Sequence, residues 1–212
     1  MRLYTLIATV IFCALLSFGC ADPAANKPKA SVGEATNEKS APRQGGETLT
    51  ISPANSNIDF VAAKVTRSHN GSFKQFNGTI DLLNSDALQS VVSITIDTAS
   101  VVTDEPDLTK HLQTPDFFDV PKYPKANFVS TKIEPNTVNG ATHTITGNFD
   151  LHGIRKSISF PATIQVGPTA VSVNAEFAIN RKDFGLIYPG KADDLIKDGV
   201  VIKLNLNVPR KP

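Results

Sequence analysis

The sequence has no tryptophan, two cysteines and one methionine in 212 residues. Both cysteines, Cys13 and Cys20, precede residue 21, so the rest of the chain can form neither a disulfide nor a thiolate metal site. Papain-like, zinc-finger and thioredoxin chemistries are excluded with them. A surplus of one charge sign is also missing: 21 Lys+Arg stand against 20 Asp+Glu, a formal charge of +1. A nucleic-acid binder needs a basic excess to displace counterions from phosphates, so that class of partner is excluded too. No long apolar run follows the first 20 residues, and 41% hydrophobic residues suffice for one sizeable core in one domain. Aromatic packing must come from 12 Phe and 3 Tyr.

What is present begins with Arg2, an apolar run from Leu3 to Phe18, and Gly19-Cys20. This is the charged, apolar and small-residue layout of a secretion signal, and it is shorter than the roughly 20 residues of a spanning helix. A small residue directly before Cys resembles a bacterial lipoprotein cleavage site, in which Cys20 becomes the acylated first residue. Ordinary cleavage after Ala21 is the alternative. The expectation is an exported, periplasmic protein held at the membrane through an acylated N-terminus. From residue 21 to 46, Ala, Pro, Lys, Glu, Ser and Asn dominate and Val32 is the only sizeable apolar side chain, a composition that reads as a disordered tether.

From Thr48 onward apolar residues recur at every second position, the period of a strand with one buried face. Val92, Ile94 and Ile96 form one such row, Ile158, Phe160, Ala162, Ile164 and Val166 another. Val171 to Ile179 and Val200 to Val208 follow the same rule. Asn70-Gly71, Asn139-Gly140 and Gly167-Pro168 signal tight hairpins, because Asn and Gly tolerate positive φ and Pro ends a ladder. About eight antiparallel strands, each apolar on one face, are satisfied by a barrel or a sandwich. One short helix is expected near Pro106 to Gln113. In a water-soluble barrel the rows containing Phe160, Val173 and Phe177 point inward.

The densest cluster of unusual residues runs from His111 to Pro124. Its three prolines prevent a long helix or central strand, so Phe117, Phe118 and Tyr123 lie in irregular chain. The two Phe either plug one end of the barrel or cover an apolar ligand; in extended chain they would point to opposite sides. No His, Asp or Glu set has metal-ligand spacing, and no nucleophile elbow or phosphate loop occurs, so neither metal nor catalysis is expected. Asn180 to Gly185, directly after a strand, is expected to carry an Arg181–Asp183 pair at the barrel rim, with a plain structural turn as the alternative.

Four blocks then carry a resemblance. They are His111-Leu112 with Pro115 to Val120, Tyr123-Pro124 and Phe128 to Thr131; Phe73 to Ile80; Gly147 to Ile154; and Ile179 to Gly185. In this order they resemble the YceI-like family of bacterial periplasmic proteins. The resemblance implies an all-β fold, a single eight-stranded antiparallel lipocalin-like barrel with one short helix, over residues 47–209. It also implies binding of a long isoprenoid, quinone-like or other amphiphilic lipid inside the barrel, with no cofactor and no enzymatic activity. The expected ligand contacts are Phe117, Phe118 and His111 at the mouth, Phe149, Phe160, Val173 and Phe177 on the inner wall, and Arg181 and Asp183 at the rim. A homodimer is left open. A structural or stress-response protein whose barrel is filled by its own side chains is the competing reading.

Overall fold

A computed structural model describes residues 21–36 and 46–210. The proposed signal and Cys20 therefore lie outside the described residues. The strands are β1 Ser31–Glu34, β2 Glu47–Ile51, β3 Ser56–Ala63, β4 Ser68–Phe73, β5 Phe76–Leu83, β6 Asp86–Asp97, β7 Val101–Thr103, β8 Lys125–Pro135, β9 His143–Leu151, β10 Ile154–Val166, β11 Ala170–Asn180, β12 Gly190–Lys191, β13 Asp194–Leu195 and β14 Gly199–Pro209. The single α-helix among the described residues, α1, spans Pro106–Leu112, with Pro106 in its first turn where a missing N–H costs nothing.

The main sheet has twelve strands rather than eight. Three long runs are broken: β2 from β3 by the turn at 52–55, β4 from β5 at 74–75, and β6 from β7 by a 3₁₀ turn at Thr98–Ser100. Two of the breaks have a local cause in side chains. Asn55 Oδ1 accepts the Ser52 N–H at 3.1 Å, and Asp97 Oδ1 accepts the Ala99 N–H at 3.0 Å, so short polar side chains take backbone groups away from the ladder. Hydrogen bonding runs β2, β5, β6, β8, β9, β10, β11, β14, β3, β4, β7. Because β2 and β3 belong to one run of chain, the sheet curls round on itself, all its strand pairs antiparallel.

The twelfth strand is β1, which comes from the segment that composition reads as a tether. β10 and β11 pair only from Thr163–Asn174 to Val166–Val171 and then part. Into that gap goes the N-terminal segment: Ala178 N–H donates to Pro28 O and Ala30 N–H donates to Ala178 O, both at 2.8 Å. β1 then pairs with β10 from Ser31–Ser159 to Glu34–Lys156. The disordered tether is thus corrected for residues 28–34. Backbone pairing to two open strand edges needs few apolar side chains, so composition alone underestimates it.

Asn70-Gly71 is a second correction. These residues lie within β4, opposite Val61 and Phe60, and the reversal falls at 64–67. Gly71 is there for space: a Cβ would come within 2.1 Å of the Phe60 ring. Asn139-Gly140 and Gly167-Pro168 do lie in reversals, between β8 and β9 and between β10 and β11.

At the β4–β7 edge, Asp104 accepts the Asn70 N–H at 2.9 Å and lies 2.9 Å from His69 Nδ1. Arg67 Nε donates to His69 Nε2 at 3.0 Å, which makes Nε2 an acceptor and puts the proton on Nδ1 facing Asp104. The Asn70 N–H is the main influence holding the Asp104 carboxyl below the usual carboxylate range, and His69 adds to it against the cost of burial.

Two outcomes are expected. Gly71→Ala should destabilise by about 1–3 kcal/mol in urea unfolding through overpacking against Phe60, whereas Gly33→Ala, whose methyl meets nothing within 4 Å, should be neutral or slightly stabilising. Because its folded pKa is lowered, Asp104 contributes stability that is complete above about pH 4 and is lost as pH falls through the folded value. Asp104→Asn should therefore flatten the acid limb of a stability–pH curve below about pH 4, and an unchanged acid limb would contradict the assignment.

Candidate functional site

The barrel is filled at one end and hollow at the other. Toward the β10–β11 hairpin, the inward side chains Leu49, Ile80, Leu82, Ile133, Val171, Val173, Leu206 and Val208 are buried and pack together in one cluster. Toward α1 the wall carries rings: Phe60 on β3, Phe73 on β4, Phe128 on β8, Phe149 on β9, Phe160 on β10 and Phe177 on β11. They surround a cavity of about 160 Å³ in which Asp59 and Arg181 are the only charged lining residues among the described residues. Phe160 stacks on Phe177, with centroids 4.1 Å apart and planes 10° from parallel. Glycine makes room for another ring, since a Cβ on Gly147 would lie 2.4 Å from Phe128.

Two pieces of chain roof the hollow end. One is the α1 segment, which contributes Leu112, Phe117 and Phe118; the other is the stretch 185–197, which contributes Leu186 and Ile196. Rings clasp the two together: Tyr188 meets Phe117 at 5.4 Å and His111 at 5.2 Å, and His111 meets Phe117 at 5.0 Å, all edge to face. Such pairs add about 0.5–1.5 kcal/mol beyond the area they bury.

Arg181 fixes the second piece. Its guanidinium is buried and donates to the carbonyls of Lys197 at 3.1 Å, Ile196 at 3.4 Å and Leu186. Burial pushes its pKa down, and the Asp198 carboxylate 3.5 Å away opposes that shift. A charge buried without partners would be very costly, so the three carbonyls and Asp198 are what allow it to stay there.

Of the expected ligand contacts, Phe117, Phe118, Phe149, Phe160, Phe177 and Arg181 line the cavity. Val173 does not, because it is buried in the filled half. His111 stands beside the roof with Nε2 2.8 Å from Asp116 Oδ2. The Arg181–Asp183 pair is corrected: Arg181 pairs with Asp198, and Asp183 sits half-buried in the 3₁₀ turn Arg181–Phe184 without lining the cavity. Phe117 and Phe118 do not point to opposite sides. Phe117 N–H donates to Thr114 O and Phe118 N–H to Leu112 O, both at 3.0 Å, so successive turns rather than extended chain bring both rings to the cavity. Sequence reasoning missed Phe60, Phe73 and Phe128 as lining residues, although Ile58, Phe60 and Ala62 form an alternating row. Among the described residues no group of three or more His, Cys, Asp or Glu is placed to hold a metal ion. No helix among them is long and apolar enough to cross a membrane.

Comparison with known proteins agrees with this geometry. The YceI-like domain matches residues 49–208. A UPF0312 protein of Pseudomonas putida (strain W619) is 34% identical over 126 residues, covering 57% of this chain and 65% of that protein, so the chain spans just under two thirds of that relative's length. A UPF0312 protein of Pseudomonas syringae pv. tomato is 33% identical over 63% of this chain and 72% of its own. Among solved structures, BcnA of Burkholderia cenocepacia superposes with a TM-score of 0.65 at 25% identity, over 74% of this chain and 98% of its own. A polyisoprenoid binding domain from Saccharophagus degradans superposes at 0.61 over 78% and 99%; at 19% identity it speaks for the fold alone.

Phe117 is buried, whereas Phe118 is only partly so. Phe117→Ala should therefore cost about 3–5 kcal/mol in chemical denaturation, with Phe118→Ala costing clearly less. Equal losses would mean that the two rings support the roof alike.

Proposed function

Because the chain belongs to the YceI-like family, we propose that its barrel holds the apolar chain of an amphiphilic lipid, an isoprenoid or quinone-like molecule, as a binding or carrier protein of the bacterial cell envelope. The observation that carries this reading is the hollow, ring-lined half of the barrel. Protein interiors are normally packed to crystal density, and here six Phe from six strands surround space that they do not fill. A hydrocarbon chain in that space gains about 25 cal/mol for each Å² withdrawn from water, and a cavity lined by apolar side chains apart from Asp59 and Arg181 favours it over a polar ligand. Among the described residues no convergent acid–base set surrounds the cavity, which gives no support to a catalytic role. Export to the periplasm and acylation at Cys20 complete the proposal, on the strength of the sequence from Arg2 to Cys20.

One observation favours the competing reading of a barrel filled by its own side chains. The cavity, at about 160 Å³, is smaller than the roughly 300 Å³ at which sites for drug-sized ligands begin. A long chain would need the wall or roof to give way.

Native mass spectrometry on protein purified from its own cell envelope separates the two. The expected spectrum contains an adduct of lipid mass that organic solvent removes. A bare protein mass in every preparation would favour the filled barrel.

A further inference from the structure

The small cavity raises the question of which part of the enclosure yields, and its fastenings differ in kind. The roof is held by large rings and by a buried Arg181 bound to three carbonyls. Most of the wall is continuous antiparallel ladder, as along the whole of β11 and β14. One seam is not. Where β10 and β11 part, Pro161 occupies the open edge. Thr142 N–H donates to the Ala162 carbonyl on the β9 side, so the neighbouring position 161 faces β11, and proline has no N–H to offer there. The two strands cannot simply zip further.

The seam is closed instead by a segment that lies outside the family-matched residues 49–208. From Ala24 to Thr36 the strap makes two bonds with Ala178 and a four-residue ladder with β10. Ala30 and Val32 pack against the main core as part of the wall, and Ala24 lies on the outer face against Val61, Ala178 and Val201. A half-buried ion pair joins Lys27 to Glu176 and an exposed one Glu34 to Lys156, and Asn148 exchanges two hydrogen bonds with Thr36. Every apolar side chain of the strap that is buried or packs on the core is Ala or Val. Beside it a cleft of about 390 Å³ remains, bordered by Pro28, Ser31, Pro161, Thr163 and Asn174, and its inner side reaches Phe160. Phe160 is also a lining residue of the apolar cavity.

We infer that residues 24–36 form a detachable wall strand, and that the seam between β10 and β11 which it closes is the entry and exit site for the lipid chain. Withdrawal of the strap removes Ala30 and Val32 from the wall beside Phe160 and Phe177 and leaves the ladders on either side intact. The apolar chain then passes between β10 and β11 sideways, and the roof stays clasped. Its withdrawal also adds the volume that the closed cavity lacks. This inference rests on the lipid-binding reading for its ligand, but the detachment of the strap stands without it.

The test is a cross-link. Ser31 and Ser159 face each other in the antiparallel register, and such partners lie about 4.5–5.5 Å apart in Cα, within disulfide reach. In the full chain carrying Ser31→Cys/Ser159→Cys, with the 31–159 linkage verified by peptide mapping, uptake and release of the C20 prenyl alcohol geranylgeraniol should both slow at least tenfold on oxidation and recover with dithiothreitol. A control cross-link at Asn57→Cys/Asn205→Cys, across the continuous β3–β14 seam, should leave both rates unchanged. Ala30→Pro, which removes the N–H bound to Ala178, should raise both. Equal rates in the oxidised and reduced strap variant would overturn the inference and place passage at the roof. If even the uncross-linked protein takes up no prenyl alcohol, the lipid reading fails, and amide hydrogen exchange decides on the strap. The Ala30 and Ala178 amides should then exchange at least tenfold faster than those of the β11–β14 ladder, and equal protection would overturn detachment.

Discussion

Everything in this protein depends on the run from Glu47 to Ala63 being hydrogen-bonded on both sides. β2 pairs with β5, and β3 pairs with both β4 and β14. A sheet left open would expose a row of unpaired backbone groups at each edge. Curling until β14 meets β3 satisfies them, and it also encloses a space whose contents are fixed by the inward side chains alone. The breaks at 52–55, 74–75 and 98–100 let the long runs bend as the curl requires.

Within that enclosure the size of the inward residues divides the barrel. Branched aliphatic side chains such as Leu49, Val171 and Val208 meet across one end and fill it. Phe side chains dominate the other end, and flat rings standing off from opposite walls leave space between them. Glycines at 71 and 147 make room for Phe60 and Phe128. The roof then depends on a single charged group: with Arg181 removed, the carbonyls of Leu186, Ile196 and Lys197 would lose a shared donor in a place with little water.

The fold was largely legible from residue periodicity. The rows of β6, β10, β11 and β14 alternate with a strict period of two, and pairing keeps that alternation, so Phe149, Phe160 and Phe177 could be placed on the inner wall. What periodicity cannot supply is position along the barrel axis. Val173 shares a face with Phe177 yet belongs to the filled half, because its level depends on the stagger between neighbouring strands. Glycine was misread at position 71 for a related reason: the same residue serves a turn and a close ring contact, and only the neighbour tells them apart. Arg181 and Asp183, two residues apart, invited a local pair, whereas the folded chain brings Asp198 nearer.

The sequence by itself determined that this is an all-β chain with one short helix, an apolar-faced antiparallel sheet, a Phe-rich loop after the helix and no cysteine-based chemistry beyond residue 20. These follow from local propensity and side-chain period, which each segment carries within itself. The tertiary structure alone decided that one half of the barrel is hollow, that Arg181 secures the roof, and that the Ala- and Lys-rich N-terminal segment closes the wall. Those outcomes arise from backbone edges, ring sizes and carbonyl groups brought together from distant parts of the chain. The strap shows why: what orders Pro28 to Glu34 is the pair of open edges on β10 and β11, more than a hundred residues away in the chain.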